Sequence, residues 1–181
     1  MSVYPSTYHA FLWQIFLNDM RWNNIMKDIY LFDWGDTLMV DTPGIAGKMC
    51  DWGHVERVKF AEETLKKISL KASVYVATDA TESTPEDIEK AFKRVGLDKY
   101  IKGYFCKQNT GFTKPEPEFY QAIINILSVN NSSVTMVGDN LEKDIIPCHK
   151  LGFNTVWLTT EQNKEVPKGV KIISTLSELD S

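Results

Sequence analysis

The stretch Ile29-Tyr30-Leu31-Phe32-Asp33-Trp34-Gly35-Asp36-Thr37 decides how the rest of this 181-residue chain is read. Four consecutive apolar residues, mostly β-branched or aromatic, predict a strand buried on both faces, which in a mixed chain is a central strand of a parallel sheet. The strand runs straight into a carboxylate. Ligands of open α/β sheets bind beyond the carboxyl ends of the strands, so Asp33 stands where a reacting group would stand, in a turn whose glycine lets another molecule come close.

Working outward, the same pattern recurs. Val74-Tyr75-Val76-Ala77 predicts a second buried strand ending in Thr78-Asp79, Tyr104-Phe105-Cys106 a short third, and Val134-Thr135-Met136-Val137 a fourth ending in Gly138-Asp139. Val156-Trp157-Leu158 gives a fifth, and residues 170–173 add a sixth at an edge. Helical spacing falls between them. Val58, Ala61, Leu65 and Ile68 repeat at that spacing from Val55 onward; Thr84-Pro85-Glu86-Asp87 has the hydroxyl, proline and acids of a helix start, with Gly96 as its end. Lys114-Pro115-Glu116-Pro117 opens a helix with Phe119, Ala122, Ile123 and Ile126 inward, and another runs from Asp139 through Leu151, with Pro147 near its first turns. Strands alternating with helices of this length predict an α/β fold: a three-layer, Rossmann-like sandwich around a mostly parallel sheet of five or six strands.

Residues 38–53 are rich in turn formers and carry Met39, Met49 and Trp52, long enough for a flap over the strand ends. Upstream, residues 1–28 read as an N-terminal helical extension to a domain at 29–181. Its apolar stripe either packs on the domain or a second subunit, giving a homodimer through this helix or the flap, or it precedes a shorter natural chain beginning at Met20 or Met26.

The bulk numbers exclude several classes. With 43% apolar and 24% charged residues and a net charge of -4, the chain has a globular composition and no basic footprint for nucleic acid. Its apolar runs are too short to span a membrane, and the first residues lack a basic segment followed by an apolar one. Cys50, Cys106 and Cys148 are odd in number and widely spaced, which suggests reduced thiols and a cytoplasmic location; the three histidines form no zinc pattern.

Four motifs, FDWGDT, VYVATD, TKPEPEF and MVGDNLEKD, stand in order at the edges of the predicted elements. In this the chain, from about residue 29 to 158, resembles the haloacid dehalogenase (HAD) superfamily of phosphohydrolases, whose motifs are a strand ending D-x-D-x-T, a strand ending in Thr or Ser, a Lys before a helix, and a strand ending G-D with a second Asp beyond. The resemblance implies a phosphatase in which Asp33 is the nucleophile and forms an aspartyl-phosphate. Thr78 and Lys114 act with it, and Trp34, Gly35, Thr78, Asp79 and Lys114 surround the phosphate. It implies Mg²⁺ held by Asp33, the Gly35 main-chain oxygen and Asp139, with Asp144 in the metal site, orienting Asp139 or a water. The chemistry is coherent. Phosphoryl transfer needs charge neutralisation and positioning more than covalent machinery, and a hard cation takes oxygen ligands.

Two departures qualify the resemblance. Position 35, where the family's phosphatases carry a second Asp as general acid and base, is Gly; a slow phosphatase is one expectation, and a catalytically impaired phosphate-binding or regulatory protein is the alternative. Asp36, Asp41 and His54 are candidates to replace the missing group. In addition, neither residues 37–74 nor residues 78–114 leave room for the family's cap domain. Capless members act on phosphoproteins or borrow a neighbouring subunit as lid, so the expected substrate is a phosphorylated small molecule or a phosphoprotein. Dehalogenation without a metal would leave the pair Asp139 and Asp144 unexplained, and phosphonate cleavage needs a Lys from a cap.

Overall fold

A computed structural model describes residues 28–161 and 164–179. The N-terminal helix expected upstream of the first strand lies outside the described residues.

Six strands, β1 (Ile29–Phe32), β2 (Ser73–Ala77), β3 (Tyr104–Phe105), β4 (Val134–Gly138), β5 (Asn154–Leu158) and β6 (Lys171–Ile173), form one sheet. Their order is β3-β2-β1-β4-β5-β6, and each neighbouring pair is parallel. In register, Phe32 stands beside Val76 on one side and Val137 on the other, so the residues that follow, at positions 33, 77–79 and 138–139, emerge on the same rim. The chain leaves β1 toward β2 on one side and later returns to place β4 on the other. That reversal opens a crevice at the carboxyl ends of β1 and β4, where Asp33 and Asp139 stand.

The continuous apolar character of β1 follows from helices on both faces. On one, Phe32, Val74 and Val76 pack with Leu65 and Ile68 of α1 (Ala61–Lys71) and with Ile88 and Phe92 of α2 (Pro85–Arg94). On the other, Leu31 and Met136 meet Phe119, Tyr120 and Ile123 of the helix over Pro117–Leu127 and Cys148 of Ile146–Lys150. A short helix, α3 (Lys107–Thr110), precedes these two, which become α4 and α5. Side chains such as Leu31 and Phe32, wholly removed from water, each contribute roughly 1.5–3 kcal/mol.

Three boundaries differ from the sequence reading. The spacing that begins at Val55 becomes a helix only at Ala61, because residues 56–58 pair with the start of the flap instead: Val40 N–H donates to Glu56 O and Val58 N–H to Leu38 O, both at 2.9 Å. The helix after Lys114 starts at Pro117, since Glu116, preceding a proline, is pushed to an extended ψ of 125°. Beyond Asp139 the chain first makes a wider π-helical turn over Leu141–Ile145 before α5, whose start carries Pro147. Tyr120 of α4 anchors that turn by donating its hydroxyl to Lys143 O.

The flap is fastened to α2 from both ends of the helix. Thr84 and Asp87 cap α2 reciprocally, and Lys48 of the flap donates to the Asp87 carboxylate at 2.7 Å. Farther along, the Arg94 guanidinium donates to the carbonyls of Cys50, Trp52 and Gly53 at 3.1, 2.6 and 3.2 Å. Among the described residues, neither the β1–β2 nor the β2–β3 connection holds an inserted domain, and no helix is long and apolar enough to cross a membrane.

Candidate active site

The crevice at the β1/β4 switch is a cavity of about 460 Å³ whose lining includes Asp33, Gly35, Thr78, Asp79, Lys114, Asp139 and Asp144. Asp33 continues the ladder beyond β1, its N–H donating to Val137 O at 2.9 Å, and this places its carboxylate at the floor. Lys114 comes from the turn before α4. Its ammonium donates to Asp33 Oδ1 at 2.6 Å and to Asp144 Oδ1 at 2.7 Å, with a side chain only 1% exposed. Asp144, from the π-helical turn, also accepts from Asn140 N–H through Oδ2 at 3.1 Å. Thus Asp144 holds Lys114, and Lys114 holds Asp33.

Oxygens of Asp33, Asp139 and Asp144 all lie within 4.8 Å of one another. Such crowding has electrostatic consequences. Burial, and then the Asp33 charge, push the Asp139 carboxyl up to about 6. Burial likewise pushes Asp144 up, with the Lys114 charge pulling the other way. For Lys114, burial favours the neutral amine, but the charges of Asp144 and Asp33 outweigh it and hold its pKa above the ordinary lysine value. The whole cavity carries seven carboxylates against three lysines. An anionic substrate entering it would meet net repulsion, and the clustered donors are all carboxylate oxygens, which is the set a hard divalent cation takes.

The remaining predicted residues are placed as follows. Thr78, buried at the end of β2, lines the cavity, and its Oγ1 accepts from Ala80 N–H at 3.2 Å. The Asp79 carboxylate is engaged by Lys143 at 2.7 Å. Trp34 touches the cavity, yet its ring packs beside Phe92, with centroids 5.9 Å apart, and its indole N–H donates to Met39 Sδ. Gly35 faces the Asp41 side chain.

Thr37 was not singled out from sequence. Its buried hydroxyl lies 3.4 Å from Asp33 Oδ2 and 3.3 Å from Asp139 Oδ1, so its one hydrogen serves either carboxylate and ties the two strand ends together. The available signal was its position at the close of FDWGDT. Lys143 was also missed, having no motif of its own.

Gly138 has a steric reason to be glycine. A Cβ there would lie 2.3 Å from Asp144 Oδ2 and 2.6 Å from Asp144 Cβ. Gly138→Ala is therefore expected to destabilise the fold by about 1–3 kcal/mol, measured by urea denaturation, because the buried Asp144 would have to leave its place beside Lys114.

The family model of haloacid dehalogenase-like hydrolases matches residues 45–158. The chain belongs to this family. The matched stretch takes in Thr78, Lys114, Asp139 and Asp144 and begins after Asp33, which the sheet brings to them. YfnB of Bacillus subtilis (strain 168), named as a HAD-hydrolase, is 24% identical over 117 residues, 64% of this chain and 48% of that protein. A ribulose-1,5-bisphosphate 5-phosphatase of Halopiger xanaduensis is 26% identical over 120 residues, 66% of this chain and 49% of that enzyme. This member of the family thus spans about half the length of the curated relatives it matches. Among solved structures, a protein of Listeria monocytogenes serotype 4b superposes with a TM-score of 0.73 at 21% identity, covering 84% of this chain and 94% of that one. The YfnB crystal structure bound to magnesium gives 0.67 at 15% identity, covering 84% and 96%. At these identities the structural likeness speaks to the HAD-like fold.

Proposed function

We propose that this chain is a Mg²⁺-dependent phosphomonoester hydrolase acting through an aspartyl-phosphate on Asp33. The observation that carries the reading is the convergence of the Asp33, Asp139 and Asp144 oxygens within 4.8 Å around the switch-point crevice, with Lys114 held on Asp33 at 2.6 Å. Further support comes from the family and from the relative named as a phosphatase.

In this reading Asp33 attacks phosphorus, the ester bond to the leaving group breaks, and water then cleaves the aspartyl-phosphate to release phosphate and restore the carboxylate. Lys114 fixes the orientation of Asp33 by occupying Oδ1 and, with the Thr78 hydroxyl, offers positive charge and a hydrogen bond to the phosphate oxygens. Asp144 keeps that ammonium in place. Asp33 and Asp139, with the Gly35 carbonyl by family resemblance, would hold Mg²⁺, which when bound supplies the neutralisation that lets an anionic nucleophile meet an anionic phosphate. A cavity of about 460 Å³ lies within the range of small-molecule sites, which favours a phosphorylated metabolite over a phosphoprotein.

The test is phosphate release from p-nitrophenyl phosphate and from a panel of phosphorylated metabolites and phosphopeptides. Turnover is expected with Mg²⁺ and lost with EDTA. Asp139, with its pKa at about 6, must shed a proton to ligate, so Mg²⁺ affinity by calorimetry is expected to rise as pH climbs from about 5 to about 7. A second reading, a site that binds phosphate without turning it over, is favoured by Gly35; phosphate binding with no Asp33-dependent turnover would select it.

A further inference from the structure

A phosphate ester whose alcohol is a poor leaving group departs slowly unless a proton reaches the bridging oxygen, and the attacking water must later give one up. Asp33, Asp139, Asp144 and Lys114 are committed to one another or to Thr37 and Asn140, and Gly35 has no side chain. Three residues of the connection after β1 were candidates for the task. His54 has a side chain 86% exposed, 3.9 Å from Glu56, and is outside the cavity lining. Asp36 lines the cavity, but its backbone is left-handed (φ 53°), its N–H donates to Met39 O, and its carboxylate accepts the Asp41 N–H at 3.0 Å. Its carboxylate is spent on shaping the flap.

Asp41 differs on each count. It lines the same cavity, and its carboxylate has no hydrogen-bond partner among the described residues. A Cβ built on Gly35 would lie 3.4 Å from Asp41 Cβ and 3.6 Å from Asp41 Oδ2. The Asp41 side chain therefore occupies the direction in which a side chain at position 35 would project, two residues from Asp33. The Asp36 to Asp41 hydrogen bond holds the backbone of Asp41 at that place.

We propose that Asp41, delivered by the flap, is the proton-transfer residue of this site, filling from a distance of six positions the space that Gly35 leaves open. The proposal rests on the phosphohydrolase reading above. As the Asp33 oxygen bonds to phosphorus and the bridging P–O bond breaks, the Asp41 carboxylic acid gives its proton to the bridging oxygen and the alcohol leaves neutral. The Asp41 carboxylate then takes a proton from water as the water oxygen bonds to phosphorus and the Asp33–phosphorus bond breaks. Inorganic phosphate departs and both acids return to their starting forms.

The experiment compares the unmodified chain, Asp41→Asn, and Gly35→Asp combined with Asp41→Asn, each on an alkyl phosphate and on p-nitrophenyl phosphate. The Asn substitution keeps the N–H that Asp36 accepts, and residue 41 is exposed, so the fold is retained. Asp41→Asn is expected to lower kcat/KM for the alkyl ester by about 10²-fold to 10⁴-fold and for the aryl ester by less than about 10-fold, because p-nitrophenolate leaves without help. Returning a carboxyl at position 35 is expected to restore alkyl turnover by at least about 10-fold. Equal losses on both esters, or no loss on either, would overturn the assignment of Asp41. Absence of Asp33-dependent turnover of both esters in the unmodified chain is a different result: it removes the hydrolase reading and Asp41 with it.

Discussion

Asp33→Asn is expected to lower turnover of any phosphomonoester this chain hydrolyses by about 10⁴-fold to 10⁶-fold, the range seen when a nucleophile acting as one unit with its neighbours is removed. The change is nearly isosteric, so its effect is chemical. An amide is a far weaker nucleophile than a carboxylate, and if its NH₂ took the place of Oδ1 it would face the Lys114 ammonium, donor against donor, where a contact of 2.6 Å now stands. Folding should be affected much less, since removing one charge from three crowded carboxylates relieves repulsion while it weakens the hold on Lys114. The measurements are phosphate release and thermal melting on the same sample. Retention of more than roughly a hundredth of the parent rate with a correctly folded variant would rule out an aspartyl-phosphate at this position.

Lys114→Met is expected to have the largest effect on stability, about 3–5 kcal/mol at neutral pH. The substitution keeps the volume and removes the charge. Its buried ammonium sits between Asp33 at 2.6 Å and Asp144 at 2.7 Å, and Asp144 is itself 1% exposed, so losing the charge leaves Asp144 buried without its counter-charge and facing the Asp33 carboxylate. The Asp144 carboxyl, already pushed up by burial and now without the Lys114 charge that pulls it down, would then stand well above its unfolded-chain pKa. A group shifted in that direction favours the fold below its unfolded pKa and loses that contribution as pH rises through the folded value. Relative to the parent, the variant is therefore expected to be least impaired near pH 4 to 5 and increasingly impaired toward neutrality, by urea denaturation at several pH values. A gap that widened in acid would mean that Lys114 is not what compensates these carboxylates.

The central strand was legible because burial on both faces leaves an uninterrupted apolar run in Ile29–Phe32, a signal that needs no partner to be seen. The same holds for the end of α2, where Gly96 with φ 70° stops the helix, and for its start at Thr84. By contrast, Val55 and Val58 sustain a helical period although residues 56–58 are extended, because partial burial against the flap gives them the same apolar character. Periodicity records burial, not its cause. At the site, Asp33, Thr78, Lys114, Asp139 and Asp144 could be picked out because each closes or opens an element. Thr37 and Lys143 could not be ranked, since their value lies in hydrogen bonds to residues 102 and 64 positions away. The choice among Asp36, Asp41 and His54 likewise needed directions in space: three polar residues within one loop look equivalent until the backbone turns one toward the space beside Gly35, one into its own main chain and one into water.

The three carbonyls gripped by Arg94 bear on selectivity. A wall riveted before any substrate arrives consumes none of the guest's binding energy in being drawn shut, so no induced-fit step is available there to reject a wrong guest. In the hydrolase reading proposed above, discrimination would fall instead to the exposed tip at positions 42–47, between Asp41 and the rivets. A loop tip of that kind tolerates replacement while the floor beneath it stays as built, which makes it the natural place for ligand preference to be retuned.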